Sequence, residues 1–397
     1  MPLFMRFKAT HSLSVFYCLM ALMRSKSVLF VLPDYHSSFA LRNALRQLGW
    51  RSEILVSTGY DRRYLHSNDV LNQWRLSTGS GRIATTVNIV AVFIQYMILS
   101  IRFRHHIHYS RIHFPATYES FLPARSKKKS IHLAIAMAAR LGVNHIHLPS
   151  GCRDEATREV FSQVQNGSVC GNCGYSEFCD DKENNMFLKR ARQYAAFSVD
   201  SGFYESTELN TQVVRLKALD ATRWKSTRRP QVDKVVVLHS HALETRTKSD
   251  RNIKGTPIIN EVMKRICDRH NHVEYRLVTG LTSRQMLEQQ QEADIVIDQL
   301  HYGHWGSTGV ESMGTGAVVV AYLRPEWMEN FRRKFPTFSE TIPVVSATPE
   351  TLETVIEELV TKPDLRQEIS RKSIEFATTF YDPESVARDL ILVLERT

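Results

Sequence analysis

Short strand-like runs with continuously apolar centres recur along this chain between segments of helical spacing. Residues 27–32, 234–238, 294–298 and 317–323 (AVVVAYL) are the clearest. A run that stays apolar at odd and even positions suits a strand covered on both faces, as in a parallel sheet. The intervening segments agree. Leu41, Ala44, Leu45 and Leu48 repeat at helical spacing, Gly49 stops the helix, and EILV at 53–56 resumes a strand. Such a β-α-β unit implies parallel pairing.

The pattern runs twice. The first series includes an apolar helix over 87–101, a strand at 105–114, a helix at about 130–141 and a strand over Val143–Leu148. The second follows the strand at 234–238 with a helix at 257–268, a strand at 273–278, a helix at 282–291 and a strand at 294–298. A helix at 307–314, the strand at 317–323, a helix at 351–361 and a final helix from Pro383, capped by Asp382, complete it. With 397 residues, two such domains are expected. The fold class is α/β, two Rossmann-like doubly wound parallel sheets with a cleft between them. The expected divisions are 1–220 with a Cys-rich insertion at about 152–185, a linker at 221–233, a second domain at 234–382, and a helix at 383–397 that can cross back.

Charge separates the halves. Residues 1–150 hold 19 Lys/Arg against 5 Asp/Glu, and residues 151–397 hold 32 against 36. The whole excess of the +10 chain therefore sits in the first third. That favours phosphate-bearing partners such as anionic lipid, nucleic acid or a nucleotide-linked substrate. Basic residues without a nucleic-acid-binding module give no reason to expect nucleic acid. The apolar stretch from Val87 to Ile101 is shorter than the roughly 20 residues that span a bilayer. It reads as a buried core helix or an interfacial one, with Arg102 and Arg104 after it. Leu13–Met23 is too short for a secretory signal and lacks a cleavage site. A cytoplasmic protein, peripheral at the inner face of an anionic membrane, is expected.

The segment from Ala293 to Ala321 carries the most chemistry. A buried strand ends at Asp298, a Gly-containing loop follows, and a helix begins near Ser307 with Glu311 in its first turns. Backbone N–H groups around Gly306, Ser307, Thr308 and Gly309 could bind phosphate oxygens, and Glu311 could accept hydrogen bonds from ribose hydroxyls. A capped βαβ turn with a solvated Glu is the plainer alternative.

This segment resembles the donor-binding domain of the retaining GT-B glycosyltransferases of family 4, also called group 1. Those enzymes carry R-x-x-K-G after the domain's first strand, and Arg251, Asn252, Ile253, Lys254 and Gly255 stand here. They also carry a run beginning with Glu, and Glu311-Ser312-Met313-Gly314-Thr315-Gly316-Ala317-Val318-Val319 stands here, preceded by Ala293-Asp294-Ile295. The resemblance implies a hexosyl transfer from a nucleotide sugar to a saccharide or lipid-linked acceptor, in surface polysaccharide or glycolipid synthesis, with retention and no catalytic metal. It implies that Arg251 and Lys254 hold the donor diphosphate and Glu311 the ribose. Many members place a first Glu facing the donor sugar, at the position of Gly303 here; His304 follows. His147, in a strand ending HLPSG, could face the sugar or point into the sheet or solvent. A GT-B-fold sugar-nucleotide epimerase and a non-catalytic nucleotide-sugar or glycan-binding protein are the alternative functions.

Cys152, Cys170, Cys173 and Cys179 follow C-x17-C-x2-C-x5-C. Four thiolates suit structural zinc or, less well, an iron–sulfur cluster; disulfides or free thiols are the alternatives.

Overall fold

The computed structural model describes residues 26–31, 35–56, 63, 65–79, 81–109, 137–148, 195–200, 211–213, 215–224, 233–241 and 254–396. Arg251, the four clustered cysteines, residues 110–114 of the strand expected at 105–114 and residues 130–136 of the helix expected at about 130–141 lie outside these residues.

The first sheet has strands β1 (Ser27–Val31), β2 (Arg51–Val56), β3 (Leu71–Asn72), β4 (His105–Tyr109), β5 (Asn144–Leu148), β6 (Ala195–Asp200) and β7 (Thr211–Val213). Their order is β3-β2-β1-β4-β5-β6-β7, and every neighbouring pair is parallel. All five residues of β1 are buried, so both faces of this central strand are covered. Helix α1 (Tyr35–Gln47) joins β1 to β2. Gly49, at φ +81°, makes the left-handed turn that ends it, its N–H donating to Arg46 O at 3.1 Å. Helix α2 (Arg82–Arg102) leads into β4.

The second sheet has strands β8 (Val235–His241), β9 (Val273–Thr279), β10 (Ile295–Ile297), β11 (Val318–Ala321) and β12 (Val345–Ser346), ordered β12-β11-β10-β8-β9 and again all parallel. The connecting helices are α4 (Thr256–Arg269), α5 (Ser283–Glu292) and α6 (Ser307–Thr315). A short helix α3 (Ala221–Trp224) precedes this domain. The stretch expected to be a linker at 221–233 therefore starts as a helix, because Trp224 is buried in the second domain's aromatic core.

Helices α7 (Pro325–Lys334), α8 (Pro336–Ser339), α9 (Leu352–Thr361), α10 (Pro363–Phe380) and α11 (Pro383–Leu394) follow. The sequence reading passes over α7 and α10. The buried face of α10 is Ser370, Ser373, Phe376, Ala377 and Phe380, so small and polar residues blur its apolar period. Asp382 caps α11, accepting from Ser385 N at 2.7 Å. Val386, Ala387, Leu390 and Leu394 of α11 lie in one core with Val28, Phe30, Leu41 and Leu45 of the first domain. The last helix thus returns to the first sheet. Arg215 fastens the crossing: it donates to Asp389 Oδ2 and Ser385 Oγ at 2.7 Å each, and to Phe380 O at 3.1 Å.

In each sheet the strand order reverses at one place, between β1 and β4 and between β8 and β10. Connections leave to opposite faces there, which opens a crevice at the carboxyl ends of the strands. The two crevices place His36, just past β1, against Glu311 on α6.

Candidate functional site

The second crevice is organised around Asp298, which follows β10 and is 1% exposed. Its Oδ1 accepts from Lys254 Nζ at 3.0 Å, and its Oδ2 accepts from the backbone N–H of Gly306. Lys254 also donates to Ser240 O at the end of β8, at 2.9 Å. Burial pushes the Asp298 carboxyl upward, but the Lys254 ammonium and the Gly306 amide outweigh it and hold the group below its ordinary value. One carboxylate therefore fixes both the cation and the start of the glycine loop.

Backbone geometry explains the glycines around it. Gly255 adopts φ +77°, and a Cβ there would sit 3.1 Å from Leu300 side-chain atoms. Leu300 N–H donates to Lys254 O, which ties the lysine's own turn to the loop after β10. A Cβ at Gly309 would lie 3.0 Å from Trp305 Cβ and 3.1 Å from Asp298 Oδ2. Asp298 can reach the start of α6 because no side chain intervenes at Gly306 or Gly309.

Gly306 is the N-cap of α6 and no side chain caps the helix. The first-turn residues Ser307, Thr308 and Gly309 follow directly. A helix N-terminus with a lysine beside it attracts anions through its oriented N–H groups and its dipole. Lys254, Gly306, Ser307, Thr308 and Gly309 thus meet at one crevice. Beneath it, His239 donates through Nδ1 to Ile297 O at 2.7 Å and accepts through Nε2 from Thr256 Oγ1 at 2.9 Å. Burial, reinforced by Lys254, pushes its pKa down to about 3, so this histidine is a neutral strut and adds no charge.

Glu311 lies one turn into α6 and faces the first domain. Its Oε1 is 2.6 Å from His36 Nδ1, and its Oε2 accepts from Gln290 Nε2 at 3.0 Å. Burial raises the carboxyl; His36 and the Gln290 hydrogen bond overcome that and lower it. The His36 ring is held edge-on by Trp224 at 5.6 Å and by His66 at 6.0 Å. Burial drives His66 down to about 3. The His36–Glu311 pair is thus backed by His66 and Trp224.

Three expected sugar-facing positions fall differently. Gly303 adopts φ +99°, and a Cβ there would lie 2.8 Å from Arg324 Cβ. A glutamate cannot be accommodated at this position without moving Arg324, whose N–H donates to Gly303 O at 2.9 Å. His304 stacks on Trp327, with centroids 5.7 Å apart, and contacts Tyr302. Burial lowers its pKa well below the ordinary value. It is part of the aromatic wall behind the loop. His147 lies on β5, and its side chain is outside the described residues.

The sequence reading did not single out His36, His66 or Gln290. His36 had a usable signal: it stands five residues beyond the end of β1, at the strand that borders the first domain's reversal point. His66 and Gln290 had none, since their roles depend on pairing across domains or helices. Among the described residues, no group of three or more His, Cys, Asp or Glu side chains could hold a metal ion.

No family model matches the chain, and no curated protein sequence matches it. Solved structures share its fold. Sucrose-phosphate synthase from Thermosynechococcus elongatus superimposes with a TM-score of 0.57 at 10% identity, covering 94% of this chain and 98% of that one. HepE from Anabaena, in complex with UDP and glucose, gives a TM-score of 0.57 at 13% identity, covering 94% and 100%. WaaG, a glycosyltransferase involved in lipopolysaccharide biosynthesis, gives 0.51 at 10% identity, covering 93% and 99%. The architecture is GT-B: two Rossmann-like domains facing across a cleft.

Proposed function

We propose that the chain is a glycosyltransferase that takes a hexose-type sugar from a nucleotide-sugar donor and passes it to a saccharide or lipid-linked acceptor. The reaction would serve surface polysaccharide or glycolipid synthesis and proceed with retention. The observation that carries this reading is the Lys254–Asp298–Gly306 arrangement at the reversal point of the second sheet. The fold shared with a UDP-and-glucose complex supports it.

In this reading the donor diphosphate lies against Lys254 and the first-turn N–H groups of α6. As the glycosidic bond breaks, negative charge builds on the leaving diphosphate. A fixed ammonium and a helix N-terminus stabilise that charge with little reorganisation. Asp298 pre-positions both, so the cost of ordering them is met in folding. Arg251 would add a second cation. Glu311 would hold the ribose once His36 shares or yields its hydrogen bond. No paired carboxylates are needed if the departing phosphate itself assists deprotonation of the acceptor hydroxyl.

Gly303 favours a second reading, a nucleotide-sugar-binding protein without transfer, because no carboxylate fits at that position. Release of nucleoside diphosphate from a donor panel separates the two. Release that increases with a saccharide or lipid-linked acceptor, giving a product with the donor's anomeric configuration by NMR, supports the transferase. Donor binding without release across the acceptor panel supports the second reading.

A further inference from the structure

Helix α2 is apolar on two faces. Its packed face buries Ala91, Val92, Tyr96 and Leu99, with Asn88, Gln95 and Ser100 among them. The opposite face exposes Ile83, Val87, Val90, Ile94, Ile98 and Ile101, each between 40% and 83% exposed. These positions advance by three or four residues, so they form a single stripe along a helix about 30 Å long. The buried polar groups are satisfied: Asn88 Oδ1 accepts from Leu76 N and Ser77 N at 2.8 and 2.9 Å, and Gln95 Oε1 accepts from Trp74 N at 2.9 Å. Those bonds hold the 73–77 loop beside the helix, where Trp74 and Leu76 are also exposed.

The stripe is far larger than the scattered apolar side chains of an ordinary soluble surface. Charge identifies what covers it. From Val70 to Tyr118 the sequence has no Asp or Glu, and it carries Arg75, Arg82, Arg102, Arg104 and Arg111. Arg82 and Arg102 bracket the helix itself, and both are exposed. An apolar stripe with cations at both ends and an exposed Trp beside it matches the boundary between acyl chains and anionic headgroups.

We propose that the outer face of α2, with Trp74 and Leu76, docks on an anionic lipid bilayer, the helix lying in the plane of the headgroups. By length and composition α2 could cross a membrane. Its inner face, however, packs Leu99 with Leu29, Val31 and Leu55 of the first sheet, and that packing keeps it on the surface. Each arginine near an anionic surface strengthens binding about fivefold at low salt, so the attraction weakens as salt rises. The surface is separate from the Lys254 crevice and holds whether or not the chain transfers sugar.

Co-sedimentation of the full chain with phosphatidylcholine vesicles, with and without phosphatidylglycerol, tests this. The wild type is expected to sediment with the mixed vesicles and to bind pure phosphatidylcholine at least about tenfold more weakly. Ile94→Asp/Ile98→Asp should lose at least about tenfold on mixed vesicles with an unchanged circular dichroism spectrum. Ile94→Ser/Ile98→Ser, which keeps the charge, should give an intermediate loss. Arg75→Glu/Arg82→Glu should lose binding to mixed vesicles while leaving the residual binding to phosphatidylcholine unaltered. Failure of the wild type to bind mixed vesicles overturns the proposal. So does equal binding by the Asp variant. Dimerisation abolished by Ile94→Asp/Ile98→Asp, without vesicle binding, would also overturn it and assign the face to a second copy.

Discussion

His36 Nδ1 and Glu311 Oε1 lie 2.6 Å apart although 275 residues separate them in the sequence. One stands at the start of α1 in the first domain and the other one turn into α6 in the second. Their contact joins the reversal points of the two sheets, and both side chains are nearly excluded from solvent. His36→Ala leaves a buried carboxylate short of a partner. It should lower unfolding free energy by about 1.5–3 kcal/mol. A double-mutant cycle with Glu311→Gln in urea should return a coupling of about 0.5–3 kcal/mol. Strictly additive losses would show that the contact carries no energy.

Lys254 and Asp298 make a prediction about turnover. Lys254→Ala should reduce transfer about 100-fold, the cost of removing one preorganised charge-stabilising donor. Asp298→Asn keeps the shape but releases the lysine, so its loss should be smaller than that of Lys254→Ala. Initial-rate measurements on both variants check the ranking. An Asp298→Asn variant with a larger loss than Lys254→Ala, and an intact fold, would contradict it.

Gly303 carries a steric prediction. Its φ of +99° and the 2.8 Å approach to Arg324 Cβ mean that any side chain strains the loop. Gly303→Ala should destabilise the protein by about 1–3 kcal/mol. Gly303→Glu should not raise activity, although it would restore the carboxylate expected from the sequence resemblance. Urea midpoints and initial rates test the two statements separately.

Acid should weaken the fold in a defined window. His66 and His239 take up protons near pH 3 when folded and near 6.5 when unfolded. Between those values the unfolded chain binds more protons. Their contribution is therefore complete above about pH 6.5 and is lost progressively towards pH 3, by up to about 1.4 kcal/mol per pH unit for each histidine. Asp298 and Glu311 are held below their ordinary values, so their contribution also fades as pH falls through their folded values. Urea midpoints should drop between pH 7 and pH 5, and His239→Asn should flatten that dependence. A midpoint independent of pH in both proteins would contradict the buried neutral histidines.

The parallel strands were legible because burial on both faces leaves an uninterrupted apolar run, as at 235–238 and 318–321. The crevice around Asp298 was legible because Lys254 and the Gly306–Gly309 turn each sit in a strand–loop–helix unit of their own. His66 and Gln290 were not, because pairing with the Glu311 region is set by how the domains and helices face each other. α10 was hidden because serines and an alanine share its packed face with Phe376 and Phe380. The α2 stripe was legible as apolar, but not which side it presents. That depends on Asn88 and Gln95 satisfying the 73–77 loop, a relationship that helical periodicity does not encode.

The central claim is that the Lys254 crevice takes a nucleoside diphosphate. Titration calorimetry of UDP and GDP against the wild type and Lys254→Ala tests it most directly. The account predicts saturable binding of at least one of them by the wild type, weakened at least about tenfold in a folded Lys254→Ala protein. Binding of equal strength by both proteins, or no binding of either diphosphate by the wild type, would contradict it.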